Sequence, residues 1–201
     1  MKIFYSILGV TILLLTATRA QSTPITLQFN ELPPQTPVNG VSVLGVTFGF
    51  QVGGLPSTDA RYNVGGPGNI TFLQGTVLEG NASGVLSLNF ATPTSLVRFG
   101  VARLTLSPLT PGATVQLFRP DASLLGTFSV NTNPLISFSE AQFSYAGELV
   151  GRATITFNNP TAAPRFAIDN LSFDPVPEPT TILLLGTGLI GLGTRIRRSR
   201  R

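Results

Sequence analysis

The sequence of 201 residues has no cysteine, no histidine and no tryptophan. Without cysteine there is no disulfide, no thiolate nucleophile and no thiolate metal site; without histidine there is no Ser-His-Asp or Cys-His machinery. Carboxylate chemistry and oxygen-ligand cations such as calcium are what the composition leaves open. Absence of cysteine does not place the chain in a reducing compartment, because a sandwich of ordinary size buries enough apolar surface without staples. Charge is also scarce, at 11% of residues, and the sole lysine is Lys2.

The net charge of +4 and the pI near 10.3 belong to the ends of the chain. Lys2 and Arg19 lie near the start, and Arg195, Arg197, Arg198, Arg200 and Arg201 crowd the last seven positions. Between Gln21 and Val176 six arginines face eight acids, a net −2. The body therefore lacks the basic surface of a nucleic-acid binder.

Residues 1–20 follow the plan of a secretion signal. Lys2 precedes an apolar run from Ile3 to Leu15, and Thr18 and Ala20 set small residues at the −3 and −1 positions before Gln21. Such a core is shorter than the ~20 residues of a spanning helix, so cleavage between Ala20 and Gln21 is expected.

The other end has three ordered parts: Pro177-Glu178-Pro179, the apolar glycine-rich run 182–194, and the arginine cluster 195–201. The prolines keep the approach extended. As a helix the thirteen residues rise about 20 Å against a hydrocarbon core of about 30 Å, a shortfall covered by bilayer thinning and snorkelling arginines. By the positive-inside rule the cluster stays cytoplasmic and the body lies outside.

This tail resembles the PEP-CTERM sorting signal of Gram-negative bacteria. The resemblance implies recognition by an exosortase-type membrane enzyme that cleaves near Pro-Glu-Pro. Pro177, Glu178 and Pro179 would be recognition residues and the five arginines a membrane-anchor stop.

The body, 21–175, alternates short β-favouring runs with turn clusters such as Gly53-Gly54-Leu55-Pro56 and Thr110-Pro111-Gly112. Strands are expected at 25–29, 41–52, 70–73, 85–90, 95–106, 114–118, 124–130, 135–138, 143–145, 149–157 and 166–173. With no amphipathic helix, the fold class is all-β, a jelly-roll-type β-sandwich flanked by the signal peptide and a short C-terminal transmembrane helix. The opening Phe29-Asn30-Glu31-Leu32-Pro33 and closing Phe166-to-Phe173 segments resemble galactose-binding-like and carbohydrate-binding-module sandwiches. That resemblance implies neighbouring first and last strands.

Asp169 falls on the more apolar parity of its strand and needs a partner if buried. A structural calcium held by Glu31, Asp169 and backbone carbonyls is one answer; a salt bridge with Arg165, or a bond capping a strand end, is another. Tyr62, in a glycine-rich loop beside Asp59 and Arg61, and Tyr145 are the candidate glycan contacts. No carboxylate pair sits in a recognisable catalytic context, so no enzyme is expected and no cofactor beyond that calcium. The sequence reads as an exported cell-envelope or extracellular-matrix protein that passes through the inner membrane. A structural or adhesive role near extracellular polysaccharide comes first, a carbohydrate-binding lectin second and a glycan hydrolase a distant third. Its partners are the exosortase, the membrane and polysaccharide.

Overall fold

A computed structural model of the chain describes residues 23–66, 71–134, 136 and 138–176. The expected signal peptide, Pro-Glu-Pro motif, apolar helix and arginine cluster lie outside the described residues. Residues 23–176 form one compact unit.

Alternation of apolar and polar residues gives eleven strands: β1 (Ile25–Leu27), β2 (Ser42–Val43), β3 (Val46–Val52), β4 (Leu55–Pro56), β5 (Arg61–Asn63), β6 (Val77–Asn81), β7 (Gly84–Arg103), β8 (Leu109–Phe118), β9 (Leu124–Pro134), β10 (Ser139–Phe157) and β11 (Arg165–Pro175). All their pairings are antiparallel. Among the described residues there is no helix, and so none long and apolar enough to cross a membrane.

Two long strands build the sandwich. The first half of β7 pairs with β3, and its second half pairs with β11. The N-terminal half of β10 follows the second half of β7, while its C-terminal half lies between the first half of β7 and β8. Each strand thus bends from one layer into the other. The bend in β7 falls at Pro93-Thr94, where proline has no N–H to place in a ladder. There Thr94, fully buried, accepts from the N–H groups of Leu96 and Asp174 and donates to the Leu96 carbonyl.

Aromatic rings fill the space between the layers. Phe166 of β11 stacks on Phe157 of β10 at 3.8 Å and touches Phe50 of β3 at 5.9 Å; Phe90 of β7 meets Phe173 of β11 at 5.4 Å. Each buried ring contributes roughly 1.5–3 kcal/mol from area, and each ring pair about 0.5–1.5 kcal/mol more. These contacts close a β-sandwich of jelly-roll type. β1 pairs with β11 through Ile25–Phe173, Thr26–Ser172 and Leu27–Leu171, which sets the first and last strands side by side.

Four local expectations are corrected. The run 85–90 and residues 95–103 belong to the single strand β7, which ends before 104–106, and 143–145 and 149–157 belong to β10. Residues 71–73 are not a strand but a loop laid over the outer face of the second layer, so close that a Cβ on Gly100 would collide with the Phe72 carbonyl. Residues 136 and 138 are bends, not strand. Strands β5 and β6 occupy stretches that read as loop.

Candidate functional site

Tyr62 does not sit in a solvated loop. It lies on β5, is fully buried, and packs edge-on against Phe29 at 5.4 Å. Its hydroxyl donates to Glu31 Oε2 at 3.5 Å, and burial followed by the Glu31 charge pushes its pKa above the ordinary phenol range. Both ring faces are covered, so the glycan-contact reading of Tyr62 is withdrawn. Neighbouring Asp59 and Glu79 instead hold Arg165, at 3.1 and 2.8 Å.

Arg165 is therefore not the partner of Asp169. In β11 the residue Asn170 has φ of 53°, and the ladder with β7 shifts register between Asp169 and Ser172. This bulge changes the parity of the strand. Phe166 and Ile168 before it and Leu171 and Phe173 after it all face the main core, whereas Ala167 joins a small second core with Leu73, Val77 and Ala102 under the 71–74 loop. Asp169 also reaches that loop: its Oδ2 accepts the Gln74 N–H at 2.8 Å, and its Oδ1 accepts the Asn170 N–H at 2.6 Å. Glu140 does the same work beside it, accepting from the N–H of Phe72 at 3.1 Å. Both acids pin the loop to the sheet.

The Glu31 and Asp169 oxygens accept from Gln28 N, Tyr62 Oη, Gln74 N, Asn170 N and Asn170 Nδ2. Calcium wants six to eight oxygens, and donor groups pointing inward are the wrong polarity for a cation. No group of three or more acids that could hold a metal occurs among the described residues. The residues present do not fit a calcium site.

Burial raises the Asp169 pKa to about 6, with Glu31 adding to the rise and the Gln74 and Asn170 N–H groups opposing it. The folded state then binds a proton more tightly than the unfolded state does, so this group favours folding most at low pH and the advantage fades as pH rises through about 6. We expect the thermal midpoint of the wild type to fall relative to that of Asp169→Asn as pH goes from 4 to 7. A gap between the two that stays constant across the window would refute the assignment.

The first layer exposes a different surface. Strands β3, β7, β10 and β8 alternate strictly, with Phe48, Leu88, Ala153 and Leu117 turned to the core. The outward set is Thr47, Ser87, Asn89, Thr154, Thr114 and Gln116, continued by exposed Thr127 and Ser129 on β9. Hydroxyls and amides both donate and accept, so the face offers hydrogen bonds of either sense to a polyhydroxylated ligand. Sequence reasoning sought aromatic platforms and overlooked it; the alternation Ser87-Leu88-Asn89 and Arg152-Ala153-Thr154 was the available signal.

At one end this face runs into a cleft of about 350 Å³, lined by Asn89 and Phe90 of β7, Arg119 and Pro120 of the β8–β9 turn, and Gly151 and Arg152 of β10. Gly151 brings the turn close: a Cβ there would lie 2.9 Å from Pro120 Cα. Arg119 pairs with Glu148 at 3.0 Å, and Glu148 in turn accepts the Tyr145 hydroxyl through its carbonyl at 3.3 Å. Tyr145, half-buried against Phe128, so lies beyond the Arg119 side of the cleft.

Fold and site together define an antiparallel β-sandwich with a polar outer face and an arginine-lined cleft. The PEP-CTERM protein-sorting motif profile matches residues 175–198, and the chain carries that motif at its C-terminus. No curated protein sequence matches the chain. Among solved structures, the CBM22-1 xylan-binding domain from Paenibacillus barcinonensis is similar at 12% identity and a TM-score of 0.42, over 80% of this chain and 99% of that one. A mutant family 29 carbohydrate-binding module complexed with mannohexaose aligns at 11% identity and a TM-score of 0.41, over 78% and 94%. An arabinose-bound α-L-arabinofuranosidase aligns at 9% identity and a TM-score of 0.48 over 77% of this chain, which spans only 27% of that enzyme.

Proposed function

We propose that this is an exported, non-enzymatic envelope or matrix protein, sorted and processed through its C-terminal tail, whose body adheres to extracellular polysaccharide. The PEP-CTERM motif at 175–198 carries the sorting half of the reading. An exosortase-type enzyme recognises Pro177-Glu178-Pro179 and cuts nearby, while the apolar run and Arg195, Arg197, Arg198, Arg200 and Arg201 hold the precursor at the inner membrane until it does. Signal cleavage between Ala20 and Gln21 precedes this step.

The polar outer face of β3, β7, β10, β8 and β9 supports the adhesive half. It presents a sheet of hydroxyl and amide groups with few charges, suited to many weak hydrogen bonds along a glycan chain. Tyr145, half-buried beside Phe128, is the aromatic side chain proposed to touch the glycan.

Mass spectrometry of the mature product from native cells tests the processing. An N-terminus at Gln21 and a C-terminus within 177–181 are expected; a mature protein that retains 182–201 contradicts it. For adhesion, the purified body should be retarded in gels cast with the producing cell's own extracellular polysaccharide, and unretarded migration would count against it.

A further inference from the structure

Arg61, Arg98, Arg103 and Arg152 make no ion pair among the described residues; of these, Arg103 and Arg152 have a buried Nε without a hydrogen-bond partner, and Arg152 is the one that lines the cleft. Arg103 is spent on buried carbonyls, Arg165 on Asp59 and Glu79, and Arg119 on Glu148. The Arg152 guanidinium lies over the Phe118 ring at 4.2 Å. Cross-strand register fixes that position: Arg152 pairs with Asn89 of β7 on one side and with Phe118 of β8 on the other, all three facing outward into or beside the cleft.

A guanidinium over a ring is steadied there, and its N–H groups that make no bond within the protein are left for a two-point bond to an oxyanion. A polar N–H withdrawn from water without a partner is costly, and a ligand oxygen placed there removes that cost. The charges facing this guanidinium are few. Arg119 is the other charged residue lining the cleft, and it is matched by Glu148 on the far side. Asp121 of the same turn is turned to Ser123, whose N–H and Oγ it accepts at 2.9 and 2.6 Å. Asn89 adds an amide whose Nδ2 reaches the Thr47 carbonyl at 3.3 Å and whose Oδ1 is left for a hydroxyl donor.

We infer that the cleft between β7, β10 and the β8–β9 turn binds the anionic substituent of an acidic polysaccharide, a carboxylate or a sulfate, on the Arg152 fork, while neighbouring sugar hydroxyls lie along the polar face. This rests on the polysaccharide-adhesion reading above and gives it a ligand class.

The test uses the purified mature protein in calorimetric titrations with a hexagalacturonate, its fully methyl-esterified counterpart and a sulfated oligosaccharide of equal length. The ester keeps the sugar rings and removes the charge. Binding of an acidic oligosaccharide at least about tenfold tighter than the ester is expected, weakening with salt, and the preferred acidic arm identifies the substituent. Arg152→Gln should lose about tenfold or more for that acidic ligand and leave ester binding within about twofold; Arg152→Lys, which keeps charge without the fork, should fall between. Unchanged thermal midpoints confirm that both variants are folded. Equal affinity for acid and ester, or an Arg152→Gln variant that binds acid normally, overturns the inference while leaving glycan adhesion intact. Failure to bind any of the three, together with unretarded migration in the native polysaccharide gel, overturns both.

Discussion

Arg103→Ala is expected to unfold the body or to bring it close to unfolding, with a loss on the order of 3–5 kcal/mol in urea titration. Arg103 is fully buried at the end of β7. It donates to the carbonyls of Gly112, Asn158 at 2.6 Å and Ala163 at 2.7 Å, and its guanidinium lies 5.7 Å from the Phe157 ring centre. One side chain therefore ties the start of β8 to the loop between β10 and β11. Burial lowers its pKa to about 10, so it remains charged at neutral pH. Removal leaves three carbonyls without their donor, at about 1–3 kcal/mol each where water cannot replace it, against a total stability of about 5–15 kcal/mol for a domain. Two further variants separate the causes. Arg103→Met fills most of the volume but still orphans the carbonyls, and should be nearly as damaging as alanine. Arg103→Lys keeps one charge that cannot span three acceptors and should lie between. A methionine variant as stable as the wild type would show that the hydrogen bonds contribute nothing net.

A chain stopped after Val176 is expected to leave the membrane fraction altogether, a change from all to none. The stop removes the Pro-Glu-Pro element, the apolar run and the five terminal arginines at once, and with them every segment proposed to hold the precursor. The folded body should survive, because β11 ends at Pro175 and Val176 makes the last described backbone bond, to the Pro93 carbonyl at 2.9 Å. Glu178→Ala in the full chain has the opposite expectation: an uncut precursor that accumulates in the membrane. Fractionation followed by immunoblotting reads both. A truncated chain that still partitions with membranes, or an E178A chain cut as usual, would remove the basis for tail-directed sorting.

The sandwich class was legible because strict alternation in 46–52, 85–90, 113–118 and 152–157 leaves no other way to bury one face. The merging of runs into β7 and β10 was not. Ala91-Thr92-Pro93-Thr94-Ser95 has turn chemistry, and only the buried Thr94 hydroxyl lets a continuous strand pass through it. β5 has three residues, too few to show a period, and the glycines that follow at 65 and 66 made Tyr62 look like a loop residue. Asp169, read as needing a partner if buried, is buried, but a bulge at Asn170 is invisible to parity counting, and its partners are the N–H groups of Gln74 in the loop and of Asn170 at the bulge. Arg103 carried a readable signal that went unused: Val97, Phe99, Val101 and Arg103 share one parity, and the first three are core. Arg152 shows the limit of single-chain patterning, since an outward position on a strand is ordinary and only its place in the cleft, over the Phe118 ring and with an unpartnered Nε, sets it apart.

The pairing of β1 with β11 has a mechanical side. Any tension transmitted through Val176 enters β11, which is bonded to β7 along seven residue pairs, to β6 along four and to β1 along three. A pull along that strand must slide it past three neighbours together instead of peeling one bond at a time. A body fastened to a surface at this point and gripped by polymer on its polar layer would resist being dragged apart by flow, and would yield first where the three-pair β1 contact lets go.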